Sequence, residues 1–189
     1  MACVSPIVML METPDETLAT AAASGDRAAF AALVTRHYDR IFALGWRLTG
    51  NRAEAEDLAQ EVCAALPHKL RAWRAEARFT TWLYRVVVNA AHDARRRAAV
   101  RARAADGWGD WETARQDAMA EDRAAQDWLA AAMAQLSPEL RDTVALVLGE
   151  DLSQAEAGAV LGLSEGTIAW RMSEVKKRLR AIAAEEAKA

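Results

Sequence analysis

Apolar residues recur at intervals of three and four along most of this chain, and the stripes they draw predict one helix after another. A first block begins near Pro14. In it Phe30, Leu33, Val34, Tyr38, Ile41 and Gly45 keep helical spacing, with His37 on the same side, so His37 reads as a core-edge histidine rather than a site. Gly50-Asn51 breaks the pattern, and Asn51 with Glu54 three residues later resembles a capping arrangement. The next helix has two chemically different faces. Ala55, Leu58, Ala59, Val62 and Leu66 point inward, Glu54, Asp57, Gln60 and Glu61 stay polar, and Pro67 is expected to stop the helix.

Between Pro67 and Phe79 runs a connector in which Arg71, Arg74, Glu76 and Arg78 surround Trp73. Such a mixture suits base stacking and phosphate binding, and equally an ordinary surface loop. A long helix follows with Phe79, Leu83, Val86, Val87 and Ala90 inward. Its opposite side carries Arg85, Asn89, His92 and Arg96, flanked by Arg95 and Arg97, a surface suited to nucleic-acid phosphates or to plain solvation. From about Ala98 to Asp127 the periodicity fades, apart from Trp108 and Trp111, and a linker with little structure of its own is expected. A second block opens around Trp128. There Ser137 is placed as an N-cap with Pro138 at the first helical position, and Val144, Leu146, Val147 and Leu148 are the expected core.

The stretch from Leu152 to Ile168 then reads as helix, glycine turn, helix, which is the outline of a helix-turn-helix. Gly162 marks the sharp turn and Ser164 the next N-cap. Ile168, Met172, Val175 and Leu179 form one apolar stripe, which leaves Thr167, Trp170, Arg171, Ser173, Glu174 and Lys177 to face a groove. Lys176, Arg178 and Arg180 suit both a helix C-terminus and DNA phosphates. The plainer alternative for this segment is a basic solvated helix on a bundle.

Composition supports an all-α fold: 189 residues, rich in alanine, contain only 9 Gly and 4 Pro. The net charge of -3 conceals segregation. From Arg85 to Arg103 six arginines face one acid, Asp93, whereas from Asp106 to Asp127 seven acids face two arginines. Local basic patches can therefore bind DNA on an acidic chain, with a salt-dependent affinity. Cys3 and Cys63 form no CxxC pair and the three histidines are not spaced with them as ligands, so no disulfide, metal site or cofactor is indicated. No nucleophile and base pair or phosphate loop points to an enzyme, and no catalytic residue is assigned. Met1 to Met11 is apolar but lacks a basic leader; it reads as neither signal peptide nor membrane span, and Met9 or Met11 is an equally good start, which makes a cytoplasmic location the expectation.

The run Ala53-Glu54-Ala55-Glu56-Asp57-Leu58-Ala59-Gln60-Glu61-Val62, followed by Phe79-Thr80-Thr81-Trp82-Leu83-Tyr84-Arg85-Val86-Val87-Val88-Asn89, resembles the second region of bacterial sigma factors. Leu136-Ser137-Pro138 and Ser164-Glu165-Gly166-Thr167-Ile168 are similar to the fourth. Together they resemble the extracytoplasmic-function (ECF) group, over roughly residues 30 to 179. The resemblance implies a second-region domain over 14–98, a linker over 99–127 and a fourth-region domain over 128–185.

It also implies roles. Glu54, Asp57, Gln60 and Glu61 would dock on the clamp helices of core RNA polymerase. Arg71, Arg74, Glu76 and Arg78 would capture an extruded base of the minus-ten element, and Arg85, Asn89, His92, Asp93, Arg96 and Arg97 would hold that element as it opens. Trp82 reads as core rather than as a base wedge, because it accompanies the inward Leu83. Ser164 and the Thr167 to Lys177 face would read the minus-thirty-five element. Ala169, Trp170 and Glu174 depart from the family pattern there: Glu174 suits a cytosine N4 donor, and Trp170 a thymine methyl or a neighbouring domain. The linker would thread the polymerase channel. An anti-sigma partner is implied by resemblance alone. The rivals are a one-component helix-turn-helix regulator, which needs no polymerase, and a sigma-like decoy that occupies an anti-sigma factor.

Overall fold

The computed structural model describes residues 12–105, 132–133 and 135–186. Seven helices form within them: α1 (Asp15–Ala23), α2 (Arg27–Thr49), α3 (Arg52–Leu70), α4 (Phe79–Ala105), α5 (Pro138–Val147), α6 (Gln154–Leu161) and α7 (Glu165–Glu186). No strand occurs among the described residues, and no helix among them is long and apolar enough to cross a membrane.

Local chemistry sets the ends. Asp26 Oδ1 accepts from the backbone N–H groups of Ala28 and Ala29 at 2.8 and 3.0 Å, which starts α2 afresh after the break at Ser24-Gly25. The expected cap is present too, with Asn51 Oδ1 accepting from Glu54 N at 3.1 Å. Helix α4 takes its cap from far away: Glu16 Oε1 of α1 accepts from Phe79 N at 3.2 Å. Asp15 pairs with Arg36 and lies 2.9 Å from His37 Nε2, so the front of α1 is tied to α2 by charge while Leu18 and Ala19 bury its inner face. His37 is buried, as the stripe requires. The first block closes over Leu33, Ile41, Leu44, Leu58, Val62, Phe79 and Leu83.

Three expectations need correcting. Helix α3 runs through Pro67 to Leu70. A proline three residues from the end forfeits only one backbone bond, and burial of Leu66 and Leu70 holds the final turn. Helix α4 continues to Ala105, so 99–105 is helix where linker was expected. Alanine and arginine are strong helix formers and sustain a helix after its apolar stripe has ended. The remainder of the expected linker, with Trp108, Trp111 and the start at Trp128, lies outside the described residues. Finally, Leu148 is 65% exposed instead of buried. It occupies the C-cap of α5, one residue past the last helical turn, and the core of that helix is Leu140, Val144, Ala145 and Leu146, with Val147 only partly buried.

The helix-turn-helix forms as the pattern predicts. Ser153 and Glu156 make a reciprocal capping box, with Glu156 N to Ser153 Oγ at 3.2 Å and Ser153 N to Glu156 Oε2 at 3.0 Å. Gly162 ends α6 at φ 69°, in the left-handed region. Gly158 permits the close approach behind the turn: a Cβ there would sit 2.7 Å from the Leu163 carbonyl oxygen. Ser164 Oγ accepts from Thr167 N at 3.2 Å, and Ile168, Met172 and Val175 bury the inner stripe of α7. The second block lies on the first, with α5 against α2 and α6 against α4.

Candidate functional site

Three surfaces carry the residues singled out from sequence. On α3, Glu54, Asp57, Gln60 and Glu61 are all exposed, while Ala55, Leu58, Ala59 and Val62 fix the opposite face in the core. This is a carboxylate-rich face on a helix that cannot rotate, suited to a basic partner.

At the end of α3 the chain turns through the connector, and Trp73, Arg74, Glu76, Thr81, Trp82 and Arg85 line a cleft of about 150 Å³. An aromatic cluster supports it. Trp73 meets Phe79 edge-on at 6.1 Å between ring centroids, and Trp82 lies 5.7 Å from Phe79 and 6.5 Å from Trp73. Phe79 is fully buried, and Trp73 and Trp82 are half-buried. Trp82 packs against the core, as expected, and its remaining surface walls the cleft. The Trp73 indole N–H is buried without an acceptor among the described residues. Arg71, Arg74, Glu76 and Arg78 are all exposed, but only Arg74 and Glu76 line the cleft, and Ala75 between them takes φ 56°, a strained backbone conformation for a residue with a side chain. Rings, guanidinium groups and a carboxylate around one opening can sandwich a planar base and hold its phosphates.

The polar face of α4 is less free than its pattern suggests. Asn89 is exposed, Arg96 pairs with Asp93 one turn earlier, and Arg97 donates to Glu61 at 2.7 Å. Arg85, although exposed, donates to the backbone carbonyl of Ala159 in α6. His92 Nε2 lies 2.7 Å from Asp142 Oδ2, and Arg95 reaches both oxygens of the same carboxylate at 2.9 and 3.1 Å. Part of the expected DNA surface thus faces the second block. Glu150, in the turn after α5, is held likewise by Arg47 at 2.7 Å and by Arg40 at 3.5 Å, and burial together with the neighbouring Glu150 pushes the Tyr84 pKa far above the usual phenol range. Asp142 and Glu150 went unnoticed in the sequence, because nothing local distinguishes either from a solvated acid.

On α7 the outward face is open. Trp170 is 65% exposed among the described residues, and Ser173 and Lys177 are exposed beside it. Ser164, also exposed, is committed to its cap. Thr167, Arg171 and Glu174 are partly covered: Arg171 reaches the Glu139 carbonyl at 3.4 Å and Arg178 pairs with Glu174 at 3.3 Å. Among the described residues no group of three His, Cys, Asp or Glu side chains is placed to hold a metal ion.

Residues 33–101 match the family described as Sigma-70 region 2, and residues 132–181 match Sigma-70, region 4. ECF RNA polymerase sigma factor SigE of Mycolicibacterium smegmatis is 35% identical over 180 residues, covering 90% of this chain and 69% of that protein. The chain belongs to the ECF RNA polymerase sigma factors. ECF sigma factor SigM of Mycobacterium tuberculosis is 32% identical over 177 residues, covering 89% of this chain and 84% of that protein. Among solved structures, CnrH in complex with the cytosolic domain of CnrY aligns with a TM-score of 0.69 at 27% identity, over 90% of this sigma factor and 97% of that chain. The exposed carboxylate face and the aromatic cleft fall inside the region 2 match, and the helix-turn-helix inside the region 4 match.

Proposed function

We propose that this sigma factor binds core RNA polymerase through Glu54, Asp57, Gln60 and Glu61, brings the enzyme to a subset of promoters and helps to melt them. The observation that carries this reading is the juxtaposition in one block of a fixed acidic face and a tryptophan-and-arginine cleft on the very next connector. A regulator that only reads duplex DNA needs neither. In this reading Ser164, Thr167, Trp170, Arg171, Ser173, Glu174 and Lys177 contact the minus-thirty-five element, Arg71, Arg74, Glu76 and Arg78 surround an extruded minus-ten base, and Arg85, Asn89, His92, Asp93, Arg96 and Arg97 hold the strand beside it. The functional units correspond to 14–98 and 128–185 with a connecting segment between them.

Melting is driven by binding energy. Stacking of captured bases on aromatic rings and pairing of phosphates with arginine offset an unstacking cost of about a few kcal/mol per base, and the chain performs no covalent chemistry. The working place is the cytoplasm, with the polymerase. Sigma factor RpoE of Bartonella quintana has been solved with the anti-sigma factor NepR, and CnrH with CnrY; an anti-sigma factor is the corresponding partner proposed here.

Run-off transcription with purified core polymerase on a promoter library tests the proposal. New transcripts from a defined promoter set are the expected result. Duplex binding by the protein alone, without transcripts, would replace it with a one-component regulator.

A further inference from the structure

The carboxylates of Asp142 and Glu150 are each only 5% exposed, and both are enclosed by cations of the other block. Asp142 offers two oxygens to Arg95 and one to His92; Glu150 sits between Arg40, Arg47 and Tyr84. An anion held by one guanidinium nitrogen, shared between its two oxygens, and by an imidazole on the polar face of α4 occupies the kind of place where a nucleic-acid phosphate would bind. The contact is directional, because the basic side chains all belong to the first block and both acids to the second. Arg85, the remaining cation of that face turned toward the second block, is taken by the Ala159 carbonyl. Meanwhile Trp170, Ser173 and Lys177 on α7 remain exposed.

We infer that Asp142 and Glu150 are a built-in latch, which closes the second block over α4 in the free chain and keeps Arg85 and His92 from a single strand, while α7 stays available to duplex DNA. The acids act as phosphate mimics supplied by the chain itself, so closure requires no other protein. Opening exchanges them for the phosphates of the strand. The inference rests on the proposed role of α4 for what is masked, but the closure itself is independent of polymerase.

The test uses the full chain and the Asp142→Asn/Glu150→Gln variant, with Asp39→Asn/Glu12→Gln as a control of equal charge change at exposed positions. Small-angle scattering reads closure, and fluorescence anisotropy reads binding of a labelled single-stranded oligonucleotide and of a duplex. The latch variant is expected to have a larger radius of gyration than the wild type and the control, and to bind the single strand roughly fivefold more tightly or better, with duplex affinity changed less than about twofold. Arg47→Gln/Arg95→Gln, which leaves the second block untouched, opens the chain by the same criterion and guards against a folding defect in α5. An unchanged radius in both variants would overturn the latch. A larger radius with no gain in single-strand affinity over the control would overturn the masking. Absence of transcription from wild type and opened variant alike would count against the sigma reading, whereas a radius that grows in both variants would still support the latch.

Discussion

Arg97 of α4 donates to Glu61 of α3 across 2.7 Å, so a guanidinium assigned to DNA and a carboxylate assigned to polymerase neutralise each other on adjoining helices. Both side chains are about half exposed, and a pair so placed contributes little to stability, about 0 to 1 kcal/mol. Its interest lies in coupling. In the proposed reading, a partner that took up Glu61 would release Arg97 for a strand and so link docking to promoter opening.

Replacing Asp57→Arg together with Glu61→Arg is expected to weaken core polymerase binding by roughly tenfold or more, because like charges would then face a basic partner surface. Both positions are exposed, so far-ultraviolet circular dichroism should be unchanged. Titration of labelled protein with core enzyme measures the effect, and wild-type affinity would remove the docking assignment from this face.

Arg96→Ala with Arg97→Ala is expected to leave polymerase affinity within about twofold, since the ion pairs lost are exposed ones. Open-complex formation, followed by permanganate reactivity of promoter thymines, should fall. Undiminished reactivity would show that the end of α4 does not hold the opened strand.

Trp170→Ala should change stability by less than about 0.5 kcal/mol, because the ring is mostly in solvent and supports no core. Promoter preference is where the effect should appear, as altered discrimination at one position of the minus-thirty-five element in a library selection. A large drop in the urea midpoint would place Trp170 in the fold rather than at the DNA.

His37 supplies a pH dependence. Burial holds its pKa below the ordinary imidazole value of about 6.5, and the charge and hydrogen bond of Asp15 oppose that only in part. The unfolded chain therefore takes up the proton more readily than the folded one. Stability from this site is complete above about pH 6.5 and is lost as pH falls through the folded-state pKa. Urea unfolding of wild type and His37→Gln at a series of pH values should show the wild-type advantage shrinking toward acid; an advantage that grows would mean that Asp15 dominates.

Elements whose causes are local were legible in the chain. The stripe Ile168, Met172, Val175 and Leu179, the Asn51 cap and the Gly162 turn each depend on residues within a turn or two, and each lies where spacing predicts. The inward face of α3 was readable for the same reason. Ends set by tertiary packing were not: Leu70 carries α3 past Pro67, and Leu148 keeps helical spacing but sits beyond the helix that would have buried it. The connector's chemistry was visible in Arg71 to Arg78, whereas its cleft depends on Phe79 and Trp82 folding back on Trp73. Farthest from reach were the pairs of Arg47 with Glu150 and His92 with Asp142, since contacts between distant residues leave no periodic trace.

The close approach at Gly158 has a mechanical consequence. Its own carbonyl accepts from Leu163 N at 2.9 Å, and the missing Cβ lets the Leu163 carbonyl lie almost on the α6 backbone, so main-chain contact on the inner side of the turn, together with the buried core, sets the angle between α6 and α7. Main-chain joints do not depend on rotamers. The exposed Trp170, Ser173 and Lys177 take no part in that joint, so they are like bits in a chuck: changing one alters what is touched and leaves the aim of the tool as it was.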